Sequence, residues 1–492
     1  MRPASALLHS VATVVLTLLC PVLATNALAQ KRPITEKDLF EFQWIGDTQL
    51  SPDGATVAFV KTAVAKEREG YETRIYLLDV KTPGAEPKLF ADGPRDSSPR
   101  WSPDGKQIAF LRSVEKEGKF GPPQLYAKPL TQGVNAVRLT DMSKGVSNPA
   151  WSPKGDAIAV ISATPLDVEK AKLDAAKKAR ATGEDAHVSD VRIVTREIYR
   201  FNGEGNLDPS LAPQLYLVSL PKPDGTQEPA WQMTGGRFGV QEYLWAAGSD
   251  WIFYTSVHEE EPYYDAEGHN SIYGFEAKRG KGLAETGFTD DLKLGRSDLE
   301  ARGLAISHDG RRIAFHAQRP TEKPMSHKQT DLWVMDLKWS GGKPVSAGEP
   351  KNLTSKASYE MGGSVGGDNT APRGGGRAAI VWAADGKSLE DVAAKDGSAL
   401  LVKVDVASGD MAEMTAAKQA VLGFVASDDG KTNVALISNP IMIGDLFAIG
   451  EGKEQTQLTH INDALFSRLD LKMPEELQVA PTVHAADIDG HA

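Results

Sequence analysis

Cysteine is almost missing from this chain of 492 residues. Its single copy, Cys20, sits inside the N-terminal apolar stretch. The rest of the chain therefore has no disulfide, thiolate metal site or thiol nucleophile to build with. Ten histidines are present, one of them His9 near the start, and the others are scattered with no His-Glu-x-x-His spacing. That leaves no zinc signature. His258 and His269 bracket Glu259, Glu260 and Glu261, a pairing that reads as an exposed acidic loop and not as a ligand set. No phosphate-cradling or dinucleotide fingerprint occurs, so no cofactor is expected. No block of Lys and Arg interleaved with aromatics occurs either. With a formal charge of −11, a nucleic-acid partner is not expected. One Gly-x-Ser-x-Gly match exists, Gly362-Gly363-Ser364-Val365-Gly366. It lacks the apolar strand before and the helix after that a nucleophile elbow requires, so no catalytic residue is assigned.

Long apolar runs are also scarce. The exception is Leu7 to Leu23, preceded by Arg2 and followed by Ala27-Leu28-Ala29. This arrangement reads as a secretory signal peptide over residues 1–29, cut after Ala29. A cysteine-free exported protein suits the periplasm or secretion, with no membrane span once the leader is removed.

What the chain has in quantity is a repeated turn. Trp101-Ser102-Pro103-Asp104-Gly105 precedes Gln107-Ile108-Ala109-Phe110-Leu111, a strand apolar on both faces and therefore buried on both. Copies occur at Leu50-Ser51-Pro52-Asp53-Gly54, Trp151-Ser152-Pro153-Lys154-Gly155 and Ile306-Ser307-His308-Asp309-Gly310. Weaker copies lie at 382–386, 425–430 and 245–250. Several units close on Leu-Thr, as in Arg138-Leu139-Thr140, Asn352-Leu353-Thr354 and Gln457-Leu458-Thr459. A period of about 40–50 residues with four strands per unit is the mark of a β-propeller. The expected fold is all-β: a seven-bladed β-propeller over residues 30–470, behind the leader. A short helix capped by Thr35 is expected over Pro33 to Gln43. An Ala/Lys-rich helical excursion is expected from Leu166 to Ala181, and a mobile glycine-rich loop from Gly362 to Gly376, between the fifth and sixth units.

The turn repeat is similar to that of TolB-type proteins and of the prolyl oligopeptidase family. Three further stretches resemble the second, in its acylaminoacyl-peptidase and dipeptidyl-peptidase members. They are Thr35-Glu36-Lys37-Asp38-Leu39 at the start, the run Val194 to Gly205 near the third unit, and Leu458 to Asp463 followed by Pro474-Glu475-Glu476-Leu477 and Asp487 to His491. The last looks like a propeller exit leading into a first α/β-hydrolase strand, so residues 471–492 read as a linker and the start of a hydrolase domain that does not follow. The resemblance implies the substrate-gating part of an exported serine peptidase acting on short peptides, with a hydrolase domain supplied in cis or in trans. Alone, such a chain is expected not to hydrolyse. The alternative is a stand-alone TolB-like binding or scaffold propeller. Dipeptidyl peptidases of this superfamily hold the substrate amine with paired propeller glutamates, which puts Glu259 and Glu260 forward as substrate-binding residues. Arg196 and Arg200 are candidates for a substrate carboxylate or carbonyl.

Overall fold

The computed structural model describes residues 31–164, 211–235, 238–248, 250–257, 270–277, 292–294, 299–318, 328–345, 348–366, 369–375 and 379–477, together with residue 178 and the pairs 200–201 and 205–206. The leader, the Leu166–Ala181 excursion apart from Lys178, and residues 478–492 lie outside them. Regular structure is nearly all β. The first sheet is Gln43–Leu50, Thr56–Val64, Tyr71–Asp79 and Lys88–Ala91, each strand antiparallel to the next. The second repeats the plan with Asp96–Trp101, Gln107–Arg112, Gln124–Pro129 and Val137–Arg138. A third starts at Ser147–Trp151, a fourth at Glu242–Trp245 and a fifth at Arg302–Ile306. Three two-stranded hairpins stand apart from the larger sheets, and the strands from Glu360–Met361 to Gln455–Gln457 form one nine-stranded sheet. It holds two groups, around Ser388–Lys395 and around Asn433–Asn439, joined by the parallel pairing of Ala399 with Ala420.

The repeated turn is a hydrogen-bonded clip. Ser102 donates its hydroxyl to Asp104 at 2.6 Å, accepts the backbone N–H of Gln107 at 3.1 Å, and its carbonyl takes the N–H of Gly105. Gly105 is left-handed at φ +68°, where a Cβ would strain the backbone. The same clip recurs as Ser51–Asp53, Ser307–Asp309 and Ser427–Asp429, and Ser152 uses Asp156 instead. A second clip joins the third and fourth strands. Thr140 accepts the N–H of Leu125 and donates to Gln124 Oε1, both at 2.9 Å. Thr234 with Gln214, Thr354 with Asp331 and Thr459 with Asp445 repeat it. These threonines are those of the Leu-Thr closures and their equivalents.

Sheets are stitched to one another by the tryptophans. Trp101 Nε1 donates to the carbonyl of Gln49, Trp151 to that of Arg100, Trp245 to that of Ala150 and Trp382 to that of Ala305, at 3.0–3.3 Å. In each case the acceptor precedes the equivalent position of the preceding unit, so the tryptophan that opens one repeat holds the one before it. Apolar packing runs the same way. Ala58, Val60 and Ile75 of the first sheet pack with Ile108 and Phe110 of the second. Ala109 and Leu111 pack with Ile158 and Val160 of the third. The succession returns to its start, because Ile45, Val57, Phe59 and Leu78 share a core with Val434, Leu436 and Leu446. Hydrogen bonds close no sheet among the described residues. The seam between the first and last strand groups is held by side chains, plus an isolated bridge between Arg32 and Leu469.

Two expectations change. Thr35 caps no helix; its N–H and hydroxyl both donate to Asp38, which also pairs with Arg32, and only a 3-10 turn follows at Asp38–Glu41. The glycine-rich loop does not lie between units but interrupts a strand. Glu360–Met361 before it and Val381–Trp382 after it both pair with Ser388–Lys395. It is fastened too: Asn369 donates to Ser438, Thr62 donates to the carbonyl of Arg373, and Gly374 packs on Val60. The glycines serve close approach. A Cβ on Gly46 would stand 2.5 Å from the Gly374 carbonyl oxygen that crosses it.

Candidate functional site

The clip turns gather on one face. A Cβ on Gly105 would touch Pro52 and one on Gly155 would touch Pro103; Lys154 pairs with Asp250, and Arg312 donates to the Gly386 carbonyl. Each of these contacts joins the turn of one unit to the turn of the next. Strand alternation then sends the connections between second and third strands, and those between units, to the opposite face. The chain's lead-in and lead-out lie there as well. Gln43 and Asn462 exchange two hydrogen bonds at 3.0 and 2.8 Å, and Arg32 bonds through its backbone to Arg468 and Asp470. The Arg32 guanidinium, followed by the Thr35 donors, holds the Asp38 carboxyl well below the usual carboxylate range. Ile34, Leu39, Phe40, Met473 and Leu477 stand exposed on these two segments, Leu477 at 76%.

A cavity of about 710 Å³ opens between the second, third and fourth sheets, lined by Pro123, Lys144, Ser147, Asn148, Ala163, Pro213, Gln241 and Val257 among others. Three of these residues are stems. Ala163 and Pro213 flank the insertion that carries Arg196 and Arg200, and Val257 lies two residues before Glu259. Arg196, Glu259 and Glu260 themselves lie outside the described residues. Arg200 is exposed, on a two-residue strand paired with Gly205–Asn206. The structure thus brings the stems of both candidate pairs to one cavity, without describing three of the four side chains. Its rim is polar: Ser256 donates to the Gly239 carbonyl at 2.8 Å, and the Asn270 amide to Gln241 at 2.6 Å. Asn270 is buried, and its Oδ1 has no hydrogen-bond partner among the described residues. Next to the cavity, Tyr243 Oη lies 2.7 Å from the carbonyl oxygen of Ala159, and burial pushes its phenol far up.

A second cavity, of about 550 Å³, lies on the same face between the glycine-rich loop, the turn at Asp396–Ser398 and the lead-out segment Met473–Glu476. Lys418 and Glu476 approach to 3.4 Å on its edge. Ser364 is exposed in the neighbouring loop, with no imidazole bonded to it among the described residues.

Sequence reasoning missed a feature of the first strands. The residue four places before the turn serine takes a left-handed conformation in four units: Asp47, Ser98, Asn148 and Gly303. Each marks a register shift against the second strand. The signal was legible, since all four are short polar residues or glycine, types that tolerate φ > 0. The bulge turns Asp47 onto Arg100 of the next unit, 2.9 Å away.

No family model matches the chain. A peptidase of Bacillus subtilis named YuxL, itself uncharacterized, is 26% identical over 453 residues, which covers 92% of this chain and 62% of the relative. Dipeptidyl-peptidase 5 of Porphyromonas endodontalis is 24% identical over 41% of this chain and 27% of its own length. Both of these relatives are named as peptidases, the second as a dipeptidyl peptidase. Among solved structures, the acylaminoacyl peptidase of Pyrococcus horikoshii superposes with a TM-score of 0.59 at 18% identity, over 90% of this chain and 56% of that one. The β-propeller domain of the Trilobed protease from Pyrococcus furiosus, whose topology is open velcro, gives 0.53 at 16% identity, over 87% of this chain and 98% of the domain. The fold is propeller-type. The chain spans about three-fifths of the length of the Bacillus relative.

Proposed function

We propose that this chain is the substrate-admitting propeller, of seven blades, of an exported serine peptidase resembling acylaminoacyl or dipeptidyl peptidases. A leader cut after Ala29 sends it to the periplasm or outside the cell. A hydrolase domain, in cis or in trans, supplies the Ser–Asp–His triad, and the propeller restricts access so that short peptides reach it. One observation carries this reading: lead-in, lead-out, the cavities of about 710 and 550 Å³ and the stems of both insertions share one face. That face also exposes Ile34, Leu39, Phe40, Met473 and Leu477 beside the two chain segments, the kind of patch a second domain covers. Glu259 and Glu260 then accept the substrate ammonium, and Arg196 and Arg200 a substrate carboxylate or carbonyl.

The test is direct. The purified chain is expected to resist labelling by a serine-directed fluorophosphonate and to leave chromogenic aminoacyl and acylaminoacyl substrates intact. Turnover is expected once the reading frame that follows codon 492 in the gene, or a separately encoded hydrolase domain, is expressed with it. Labelling of Ser364 in the chain alone overturns the reading. A monodisperse monomer that binds no peptide and gains no activity from a hydrolase domain favours a stand-alone scaffold.

A further inference from the structure

We propose that Arg95 and Arg373 form a carboxylate-binding site on the same face, and that its ligand is the free C-terminal carboxylate of a short peptide. The choice of a peptide rests on the peptidase reading; the site itself rests on geometry. Arg95 lies in the link between the first and second sheets, bridged to Thr73, whose N–H bonds the Pro94 carbonyl at 2.9 Å. Its guanidinium stacks 3.9 Å above the Phe120 ring. Arg373 arrives from the sixth unit on the glycine-rich loop. Its carbonyl takes the Thr62 hydroxyl at 2.8 Å, and the next residue, Gly374, is so close to Val60 and Thr73 that a Cβ would stand 2.7 Å and 3.2 Å from them. Thr73 therefore touches both arms of the site.

The arginines on the strands of these sheets nearest the site have their own acids: Arg74 with Glu72, Arg100 with Asp47, Arg112 with Asp96. Arg95 and Arg373 make no ion pair among the described residues. Glu115, on the hairpin Glu115–Phe120, acts on Arg95 only at a distance. Burial first, and the positive charge of Arg373 second, hold the Arg95 guanidinium below its ordinary value. The glycine-rich loop sets the Arg373 backbone against Thr62 and Thr73, and Thr73 is bridged to Arg95; a planar anion held by both side chains would offset the charge this brings together. A carboxylate matches two guanidinium forks in charge and shape.

Isothermal titration of the full chain compares one short peptide as free acid and as C-terminal amide, with inorganic phosphate as a third arm and thermal unfolding run on each variant. The acid is expected to bind about tenfold tighter than the amide, and Arg373→Gln or Arg95→Gln to remove about that factor for the acid alone. Arg373 meets the fold through its backbone, so Arg373→Gln decides the matter if Arg95→Gln disturbs the Phe120 stack. Equal affinity for acid and amide, or Arg373→Gln binding the acid as the parent does, overturns the proposal. So does phosphate displacing the acid with equal affinity at these arginines. Acid-selective binding without turnover in the assembled enzyme leaves this site standing and sinks the peptidase reading; turnover without acid selectivity does the reverse.

Discussion

The two faces of the ring share a repeated plan and differ in what is added to it. On the turn face, one serine–aspartate clip recurs with distances of 2.5–2.7 Å at Ser51, Ser102, Ser307 and Ser427. On the opposite face the threonine clip recurs, but the connections beyond it run from two residues, at 396–397 and 440–441, to the long insertion after Ala163; the cavities of about 710 and 550 Å³, both insertion stems and both chain segments are found there. Electrostatics separates the turn aspartates from two buried ones on the other face, although Asp38 of the lead-in is itself held low by Arg32. Asp53, Asp104, Asp309 and Asp429 on the turns are held below the usual carboxylate range, each chiefly by its serine hydroxyl. Asp96 and Asp445, buried near the other face, are pushed up by burial. Repeated clips on both faces satisfy their groups locally; the unequal connections of the opposite face leave room beside them.

The core common to both faces gives the largest effect. Phe110 is fully buried between the first and second sheets, and Phe110→Ala is expected to cost about 3–5 kcal/mol in chemical unfolding. Breaking one clip is smaller. Ser102→Ala removes a buried hydroxyl that both donates and accepts and is expected to cost about 1–2 kcal/mol. The same change at Ser364, exposed on the other face, is expected to leave the unfolding midpoint unchanged. An equal cost at both serines would erase the distinction between the faces.

The sequence made the turn face legible because its chemistry is local: serine, aspartate and glycine meet within five residues, so reading them in order amounts to reading the clip. The Leu-Thr closures were legible as punctuation but not as clips, because Thr140 meets Gln124 from sixteen residues away. The opposite face was less legible still. Thr62 and Arg373 are 311 residues apart, and no periodicity links them. The glycine-rich loop looked loose because its glycines lacked partners in sequence; in space they make room for the backbone to cross Gly46 and Val60. Glu259 and Arg196 were named from a resemblance, and only their stems can be followed to a common cavity.

Acid separates the faces in solution. A turn aspartate whose folded pKa is depressed adds stability that is full above its unfolded value and fades as pH falls through the folded one. Asp445 has the opposite sign, since its raised pKa means that the folded state binds its proton more readily than the unfolded chain. Its contribution is full below the ordinary value of 3.8 and is lost as pH rises through the raised one. Asp445→Asn keeps an acceptor for Thr459 and Ile461. It is expected to flatten the stability profile just above pH 3.8, where Ser102→Ala should instead reduce the loss at lower pH. If Asp445→Asn leaves the slope in that window untouched, the electrostatic half of the comparison fails.

The smallest effect on stability is expected where the opposite face is most apolar. Phe40 is 41% exposed and lies under the Arg68 guanidinium at 4.6 Å, an exposed cation–π contact worth about 0.5–1 kcal/mol. Phe40→Gln should therefore shift unfolding by no more than that. Association is another matter, because Phe40, Leu39 and Ile34 are a patch that a second domain would bury. A chain carrying the patch bare should self-associate or capture a hydrolase domain, and light scattering should show Phe40→Gln reducing both. A turn-face control, Lys154→Gln, breaks the pair with Asp250 and should alter neither. If the control and Phe40→Gln scatter alike, the apolar lead-in is an ordinary piece of surface, and the asymmetry of the ring ends at its hydrogen bonds.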